Sequence, residues 1–153
     1  MEIKPGIGLG SIRFGFEEGL VTRMLGKPDR VEEAEFVERS GDWYRELSFG
    51  HLSASFRFDK EDDFKLGNIT IDGRGHTLFG GDLHGRSRAF VIRFLGAGAN
   101  ELPQLVDRDL DIDYECLSYK RMGVMLFFHD GCLDEIQYGY LFEPDDNTAI
   151  WPK

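Results

Sequence analysis

The stretch GLVTRMLGKP, from Gly19 to Pro28, is echoed by RAFVIRFLGA, from Arg88 to Ala97. When the sequence is compared with itself at an offset of 70, similar residues coincide: Gly15 with Gly85, Leu20 with Phe90, Val21 with Val91, Arg23 with Arg93, Met24 with Phe94, Leu25 with Leu95, and Gly26 with Gly96. In each stretch the apolar residues recur at i, i+1, i+4 and i+5, which places them on one side of a helix. A glycine follows, and glycine commonly ends a helix. Both stretches are therefore predicted to be short amphipathic helices that end at the glycine.

The same offset also aligns the residues that follow each predicted helix. LSASFRF, from Leu52, coincides with MGVMLFF, from Met122, and their period of two predicts strands. The offset then falls to 67, because the turn DKEDD, from Asp59, is longer than HDG, from His129. His-Asp-Gly between two apolar runs is typical of a tight hairpin.

These patterns predict an α+β fold made of two tandem repeats, residues 1–74 and 75–153. Each repeat is predicted to be a short helical segment packed on a three- to four-stranded antiparallel meander sheet, with RVEEAEFVE, Arg30 to Glu38, as the additional strand of the first. A unit of about 70 residues buries little apolar surface alone. We therefore expect the two repeats to pack as one compact unit.

The composition favours a cytoplasmic protein with one core. The chain has 153 residues, 41% of them hydrophobic, and it lacks both an 18-residue apolar run and the pattern of a secretory signal at its N-terminus. Its formal net charge of -10 repels phosphate backbones and attracts a basic partner. Acidity also serves solubility, so the charge alone does not identify a partner.

No motif in the sequence predicts a catalytic, cofactor or metal site. The four histidines lack the spacings that place two imidazoles on one metal, and two cysteines are too few for a structural zinc site. PGIGLGS, from Pro5, does not complete a dinucleotide-binding fingerprint. Ser87 in GRSRA is better explained as the residue that opens the second helix than as a nucleophile. We therefore predict a protein that is not an enzyme and holds neither cofactor nor metal.

The run DRDLDIDYE, from Asp107 to Glu115, is the most acidic pattern of the second repeat. On a continuous strand its alternate residues would form a stripe of negative charge: Asp107, Asp109, Asp111 and Asp113. Such a stripe suits a lysine- or arginine-rich surface. An exposed strand edge protected by charge against aggregation explains the run equally well.

Alternation along the strands predicts a core and an outer sheet face. The predicted core residues are Trp43, Leu47, Phe49, Leu52, Ala54, Phe56, Phe58, Ile69, Ile71, Leu117, Val124, Leu126, Phe128, Ile136 and Tyr138. The outer face of the first repeat is polar, with Tyr44, Glu46, Ser48, Ser53, Ser55, Arg57 and Thr70. The second carries Tyr114, Cys116, Ser118, Met125, Phe127, Gln137 and Leu141, which is unusually apolar for a face in water. Either the C-terminal residues Ile150 and Trp151 or the first sheet covers it, or it binds another protein.

The segment IGLGSIRFGFEEGLVTRMLGKPD, Ile7 to Asp29, followed by a meander and then repeated, resembles the helix-plus-sheet unit of the beta-lactamase-inhibitory-protein and BamE/SmpA type. The tandem arrangement resembles the inhibitory proteins over the whole chain. The chain also resembles small acidic immunity proteins of bacterial toxin systems, including contact-dependent growth inhibition. The resemblance implies a binding module.

The leading hypothesis is a non-catalytic immunity protein or protein inhibitor that neutralises a cognate basic toxin, such as a nuclease, by covering its active site. Tyr114, Met125 and Phe127 are the predicted anchors and Asp109, Asp111 and Asp113 their electrostatic partners, with Tyr44 and Glu46 of the first repeat contributing. Neither nucleic acid nor a membrane is an expected partner. The alternatives are a scaffold that self-associates through its sheet face, and an enzyme with a cleft between the repeats.

Overall fold

Two four-stranded meanders join edge to edge in a single eight-stranded antiparallel sheet. The computed structural model describes residues 1–145 and 147–153, apart from the side chain of residue 97. The first meander consists of β4 (Arg30–Glu35), β5 (Trp43–Phe49), β6 (Ala54–Asp59) and β7 (Lys65–Ile71). The second consists of β9 (Gln104–Asp109), β10 (Tyr114–Tyr119), β11 (Val124–His129) and β12 (Cys132–Gly139). The strand order is β4-β5-β6-β7-β12-β11-β10-β9. The predicted α+β class with antiparallel sheets is confirmed.

One helix precedes each meander. α1 (Glu18–Leu25) buries Val21 and ends, as predicted, at Gly26, where φ is 91° and the amide donates to the carbonyl of Thr22. α2 (Arg88–Ala99) starts after Ser87, whose Oγ accepts a hydrogen bond from the amide of Phe90 at 3.2 Å, so the prediction that this serine opens the helix is confirmed. In the described part of the chain, neither helix is long and apolar enough to cross a membrane.

The predicted end of α2 at Gly96 was wrong. The helix continues to Ala99, which is buried in the core, and it ends at Asn100, where φ is 51°. Burial of Ala99 holds the last turn against the sheet, and this tertiary contact outweighs the weak helix propensity of the glycines.

A small second sheet ties the N-terminus to the middle of the chain. It contains β1 (Glu2–Lys4), β2 (Gly8–Leu9), β3 (Ile12–Arg13) and β8 (Thr77–Leu78), in the order β3-β2-β1-β8, and β1 pairs with β8 in parallel. No strand was predicted in these segments. A hairpin of β13 (Leu141–Phe142) and β14 (Ala149–Ile150) lies near the C-terminus.

The core lies on one side of the eight-stranded sheet, under the helices and the small sheet. Thirteen of the fifteen predicted core residues are buried there. Apolar residues from the helices, the small sheet and the segments that follow them are buried with these: Ile3, Leu9, Ile12, Phe14, Val21, Leu78, Leu83, Val91, Leu95 and Ala99. Trp43 is an exception, since it begins β5 and is 39% exposed. Leu52 is the other, because it lies in a short 3-10 helix, Gly50–Leu52, and is only partly buried.

Two turns differ in how well the sequence predicted them. The Asp130–Gly131 turn between β11 and β12 has positive φ at both residues, 50° and 74°, as the hairpin prediction requires. β4 is shorter than predicted and ends at Glu35 rather than Glu38. The carboxylate of Glu35 accepts hydrogen bonds from the amides of Arg39 and Gly41, at 2.8 and 3.1 Å, which closes a turn where the strand was expected to continue.

Two ion clusters fasten the helices to the sheet, and their charges are reversed. Arg45 of β5 donates to Glu18 of α1 at 2.8 and 3.0 Å and to Glu33 of β4 at 2.9 Å. In the aligned positions of the second half, Glu115 of β10 accepts from Arg88 of α2. Glu115 also accepts from Arg108 of the neighbouring β9 at 2.7 Å. Each cluster therefore joins one helix, one inner strand and one edge strand.

Candidate protein-binding face

The side of the eight-stranded sheet opposite the helices is here called the open face. The strand register places its side chains in rows, and one row crosses all eight strands: Arg30, Ser48, Ser55, Thr70, Gln137, Met125, Ser118 and Gln104. Thr70 and Gln137 lie opposite one another where the two meanders meet. The open face thus presents side chains of both halves on one continuous surface.

The first half of the open face carries a polar network centred on Arg57. The guanidinium of Arg57 lies 5.0 Å from the ring centre of Phe36 and 6.0 Å from that of Tyr44, and its Nε is 3.1 Å from Asp59 Oδ1. Burial raises the pKa of Asp59, and Arg57 partly offsets this. Burial also raises the pKa of Glu46 and Tyr44. The predicted site residues Tyr44 and Glu46 therefore surround a cation that the chain itself supplies.

The second half of the open face is apolar where the first is polar. The rings of Tyr114 and Phe127 are 6.4 Å apart between centres, and Met125 lies two residues before Phe127 on the same strand. All three side chains are half-buried. Cys116, directly opposite Phe127, is buried, and its burial raises the pKa of the thiol. The structure therefore brings Tyr114 and Phe127 together, while Met125 lies on the same face and lines a neighbouring depression.

In the described part of the chain, neither of the two expected covers is found over Tyr114 and Phe127. The first sheet lies beside the second in the same plane rather than on top of it. Trp151 packs against Tyr140, with ring centres 4.4 Å apart, and close to Gly15, and the Lys153 carbonyl accepts from Arg13. Ile150 pairs with Leu141 in the C-terminal hairpin. Leu141, which was assigned to the outer face, follows the end of β12, lies close to Gly6 and Gly123, and lines a depression of the open face.

A small cavity opens beside the anchors, and it is here called the aromatic pocket. Its volume is about 290 Å³, and its lining residues are Tyr114, Phe127, Phe128, His129, Asp134 and Glu135. A β-bulge shapes it: Phe127 pairs with Glu135 but Phe128 pairs with Leu133, which leaves Asp134 as the extra residue. Burial raises the pKa of Glu135, while a hydrogen bond from Gln137 Nε2 to Glu135 Oε1, at 2.6 Å, acts in the opposite direction.

A larger depression, the central groove, crosses the open face from β6 to β9 and has a volume of about 790 Å³. Its floor is low where Gly139 pairs with Asn68, since no side chain fills this position of β12. Charges of both signs line it: Arg57, Asp59, Glu61, Glu101, Lys120, Arg121 and Glu143. No histidine is among the described residues that line it.

Only the first half of the predicted aspartate stripe lies on a strand, since Asp107 and Asp109 belong to β9 and pair with Cys116 and Tyr114. β9 ends at Asp109, and residues 110–113 form a turn in which Asp113 has φ of 47°. Asp109 Oδ1 accepts the amide of Asp111, and the carbonyl of Asp113 accepts the amide of Asp130. Asp109, Asp111 and Asp113 are exposed around this turn, beside the second half of the open face but not in one row.

Tyr44 and Glu46 are well separated from the other predicted site residues. Five strand-to-strand steps lie between β5 and β10, which is about 24 Å at the usual spacing of strands. The structure also adds Asp134 and Glu135 to the site. Strand alternation alone did not identify them, since a bulge shifts the alternation by one residue at this point.

Comparison of the chain with protein-family models, with curated proteins and with solved structures found no match. Within the described part of the chain, no three side chains of histidine, cysteine, aspartate or glutamate lie where they could share a metal ion.

Proposed function

We propose that this protein is a non-catalytic immunity protein or inhibitor, which binds a cognate basic toxin through the open face and covers the active site of that toxin. The observation that carries the proposal is the second half of this face. There, half-buried Tyr114, Met125 and Phe127 lie next to carboxylates, on a chain with a net charge of -10. Aromatic anchors surrounded by charge are typical of protein-binding surfaces.

The size and construction of the open face support this function. Eight strands span roughly 34 Å at the usual spacing, and a strand of five or six residues is about 17 Å long. The resulting area, roughly 580 Å², is about three quarters of one side of a standard protein interface, roughly 800 Å². A hydrogen-bonded sheet also loses little conformational entropy on binding, because its side chains already sit on a fixed framework.

Charge complementarity favours a basic partner over a neutral one. The chain has 28 aspartates and glutamates against 18 lysines and arginines. Such a field accelerates the encounter with a cationic protein and opposes binding of a nucleic acid. An inhibitor that occupies the basic active site of a nuclease would thus compete with the nucleic acid for the same charges.

We further infer that the two halves are copies of one unit. Gly15 and Gly85 donate to the carbonyls of Leu66 and Leu133, and the amides of Leu66 and Leu133 donate to Phe16 and Arg86. The bulges at Arg57/Phe58 and Phe127/Phe128 also fall at aligned positions of the two halves. The reversed ion clusters of Arg45 and Glu115 occupy matching positions as well. Duplication accounts for all of these, and it leaves the second copy free to acquire a binding face.

The experiment is a calorimetric titration of this protein with the product of the neighbouring reading frame, which the proposal predicts to be basic, at low and at physiological salt. The expected result is 1:1 binding tighter than micromolar that weakens as salt rises, together with loss of the toxin's activity. Failure of that protein to bind more tightly than micromolar would contradict the proposal. Light scattering of the free protein tests the alternative, a scaffold that self-associates through its sheet face. A concentration-dependent dimer that is lost in Phe127→Asp would favour this alternative.

A further inference from the structure

In the first half of the open face, an arginine of the chain itself lies between a tyrosine and a carboxylate. Arg57 lies over the rings of Phe36 and Tyr44, and its Nε is 3.1 Å from Asp59. The guanidinium thus has aromatic faces on one side and a carboxylate on the other, which is the environment that stabilises a partly desolvated arginine.

The corresponding place in the second half has aromatic rings but no arginine. In the alignment of the two halves Tyr114 coincides with Tyr44, but Phe127 coincides with Arg57. The bulge of the second half carries Asp134 and Glu135, where the first half has glycine and asparagine at the offset of 67. At these two aligned positions the second half has carboxylates and the first half has none, and no lysine or arginine is among the described residues that line the aromatic pocket.

We propose that the aromatic pocket binds one arginine side chain of the partner protein, with the guanidinium on the rings of Tyr114 and Phe127 and paired with Glu135. This inference rests on the proposed function for the identity of the partner, but not for the chemistry of the pocket. Glu135 Oε1 already accepts from Gln137, which orients the carboxylate and leaves Oε2 for the ligand. The volume of about 290 Å³ is just below the roughly 300–1,000 Å³ of small-molecule sites and suits a single side chain.

Arginine fits this pocket better than lysine. A guanidinium is planar and stacks on aromatic rings while it donates to a carboxylate, whereas an ammonium is compact and strongly hydrated. Removal of Glu135 from water also disfavours its charged form, and an incoming cation offsets that cost. The pocket is therefore selective for the type of cation as well as for its charge.

The test is a titration of the ¹⁵N-labelled protein with N-acetyl-arginine N-methylamide, followed by amide chemical shifts. The lysine analogue serves as the matched probe. The expected result is saturable shifts around Tyr114, Phe127 and Glu135, with a dissociation constant in the millimolar range, and binding of the lysine analogue at least about threefold weaker. Shifts that do not saturate, that centre on the central groove, or that are equal for both probes would overturn the inference.

Three variants sharpen the test. Phe127→Arg supplies the pocket with an arginine of the chain itself, as in the first half, and is expected to abolish binding of the probe. Phe94→Arg places the same charge on α2, outside the pocket and on the opposite side of the sheet, and is expected to leave binding unchanged. Glu135→Gln is expected to weaken binding about fivefold, and this variant decides the matter if Phe127→Arg does not fold.

The outcomes separate the pocket from the proposed function. If the arginine probe binds but no basic protein does, the proposal of an arginine pocket is supported and the proposed immunity function is contradicted. If a basic protein binds the wild-type chain and Glu135→Gln equally well, the function stands and the arginine pocket fails.

Discussion

Two glutamates of the second half experience opposite environments. Burial alone would raise the pKa of Glu115, but hydrogen bonds from Arg88 and Arg108 lower it below its ordinary value. Burial raises the pKa of Glu135, and only the amide of Gln137 acts against this. The charged form of Glu115 therefore stabilises the fold, whereas the charged form of Glu135 lowers the stability of the fold.

We expect Glu115→Gln to destabilise the protein by about 1 kcal/mol at pH 7, since two arginines then lose their carboxylate in a partly exposed cluster. A folded-state pKa below the unfolded value gives stability that is present at neutral pH and is lost as pH falls through the folded pKa. The difference from wild type should therefore disappear in acid. Urea unfolding from pH 7 down to pH 3 measures it, and a constant difference over that range would contradict the role of the charge.

Glu135→Gln is expected to act with the opposite sign. A folded-state pKa above the unfolded value means that the charged carboxyl costs stability at neutral pH, and that this cost disappears as pH falls below the unfolded pKa. The variant should be more stable than wild type at pH 7 and equal to it near pH 3. The same urea series measures both variants, and a destabilised Glu135→Gln at pH 7 would show that this glutamate is structural.

The strands of the sheet contribute very unequally to stability. β7 and β12 lie at its centre and bury Ile69 and Ile136, whereas every residue of β9, at the edge, is exposed. Val106 of β9 is 55% exposed and is the extra residue of a second irregularity in pairing, between Cys116 and Leu117. Edge strands of this kind are held by one neighbour and protected mainly by charge.

Truncation of side chains should reproduce this gradient. Ile69→Ala removes a fully buried side chain and is expected to cost about 2–5 kcal/mol, while Val106→Ala should change stability by no more than about 0.5 kcal/mol. Chemical denaturation of both variants measures the costs. Similar costs for the two variants would show that β9 packs more tightly than its exposure indicates.

The sequence predicted those elements whose structure depends on local side-chain pattern and turn chemistry. The helix starts, the Asp130–Gly131 hairpin and the alternation of β5, β6, β10 and β11 follow from side-chain pattern and turn chemistry, and they were predicted. The small sheet was not predicted, because two-residue strands at Gly8 and Thr77 carry no period. The bulge that adds Asp134 and Glu135 to the site, and the turn that ends the aspartate run, depend on tertiary pairing that a single sequence does not reveal.

At the scale of the whole molecule, both ends of the chain cross between the halves. β1 pairs with β8, Tyr138 donates to the carbonyl of Gly8 at 3.3 Å, and Trp151 packs near Gly15. The core of both halves forms one cluster. These contacts explain why units of about 70 residues, which bury little alone, are stable together.

We therefore expect one cooperative unfolding transition. The chain has two tryptophans, Trp43 in β5 and Trp151 near the C-terminus, so Trp151→Phe and Trp43→Phe each leave a reporter in a different part of the fold. In each variant the fluorescence and circular dichroism transitions in urea should coincide. Different midpoints for the fluorescence and the circular dichroism transitions would mean that the halves unfold independently.

The central claim, that the open face of the second half binds a basic protein, is tested most directly by two matched variants. Phe127→Arg places a charge in the aromatic pocket, and Phe94→Arg places the same charge on α2, on the opposite side of the sheet, where Phe94 is 40% exposed. The measurement is the dissociation constant of each folded variant for the basic product of the neighbouring reading frame. The account predicts that Phe127→Arg weakens binding by about 100-fold and that Phe94→Arg leaves it within about threefold of wild type. Equal binding by the wild-type chain and Phe127→Arg, or a loss of binding only in Phe94→Arg, would contradict it.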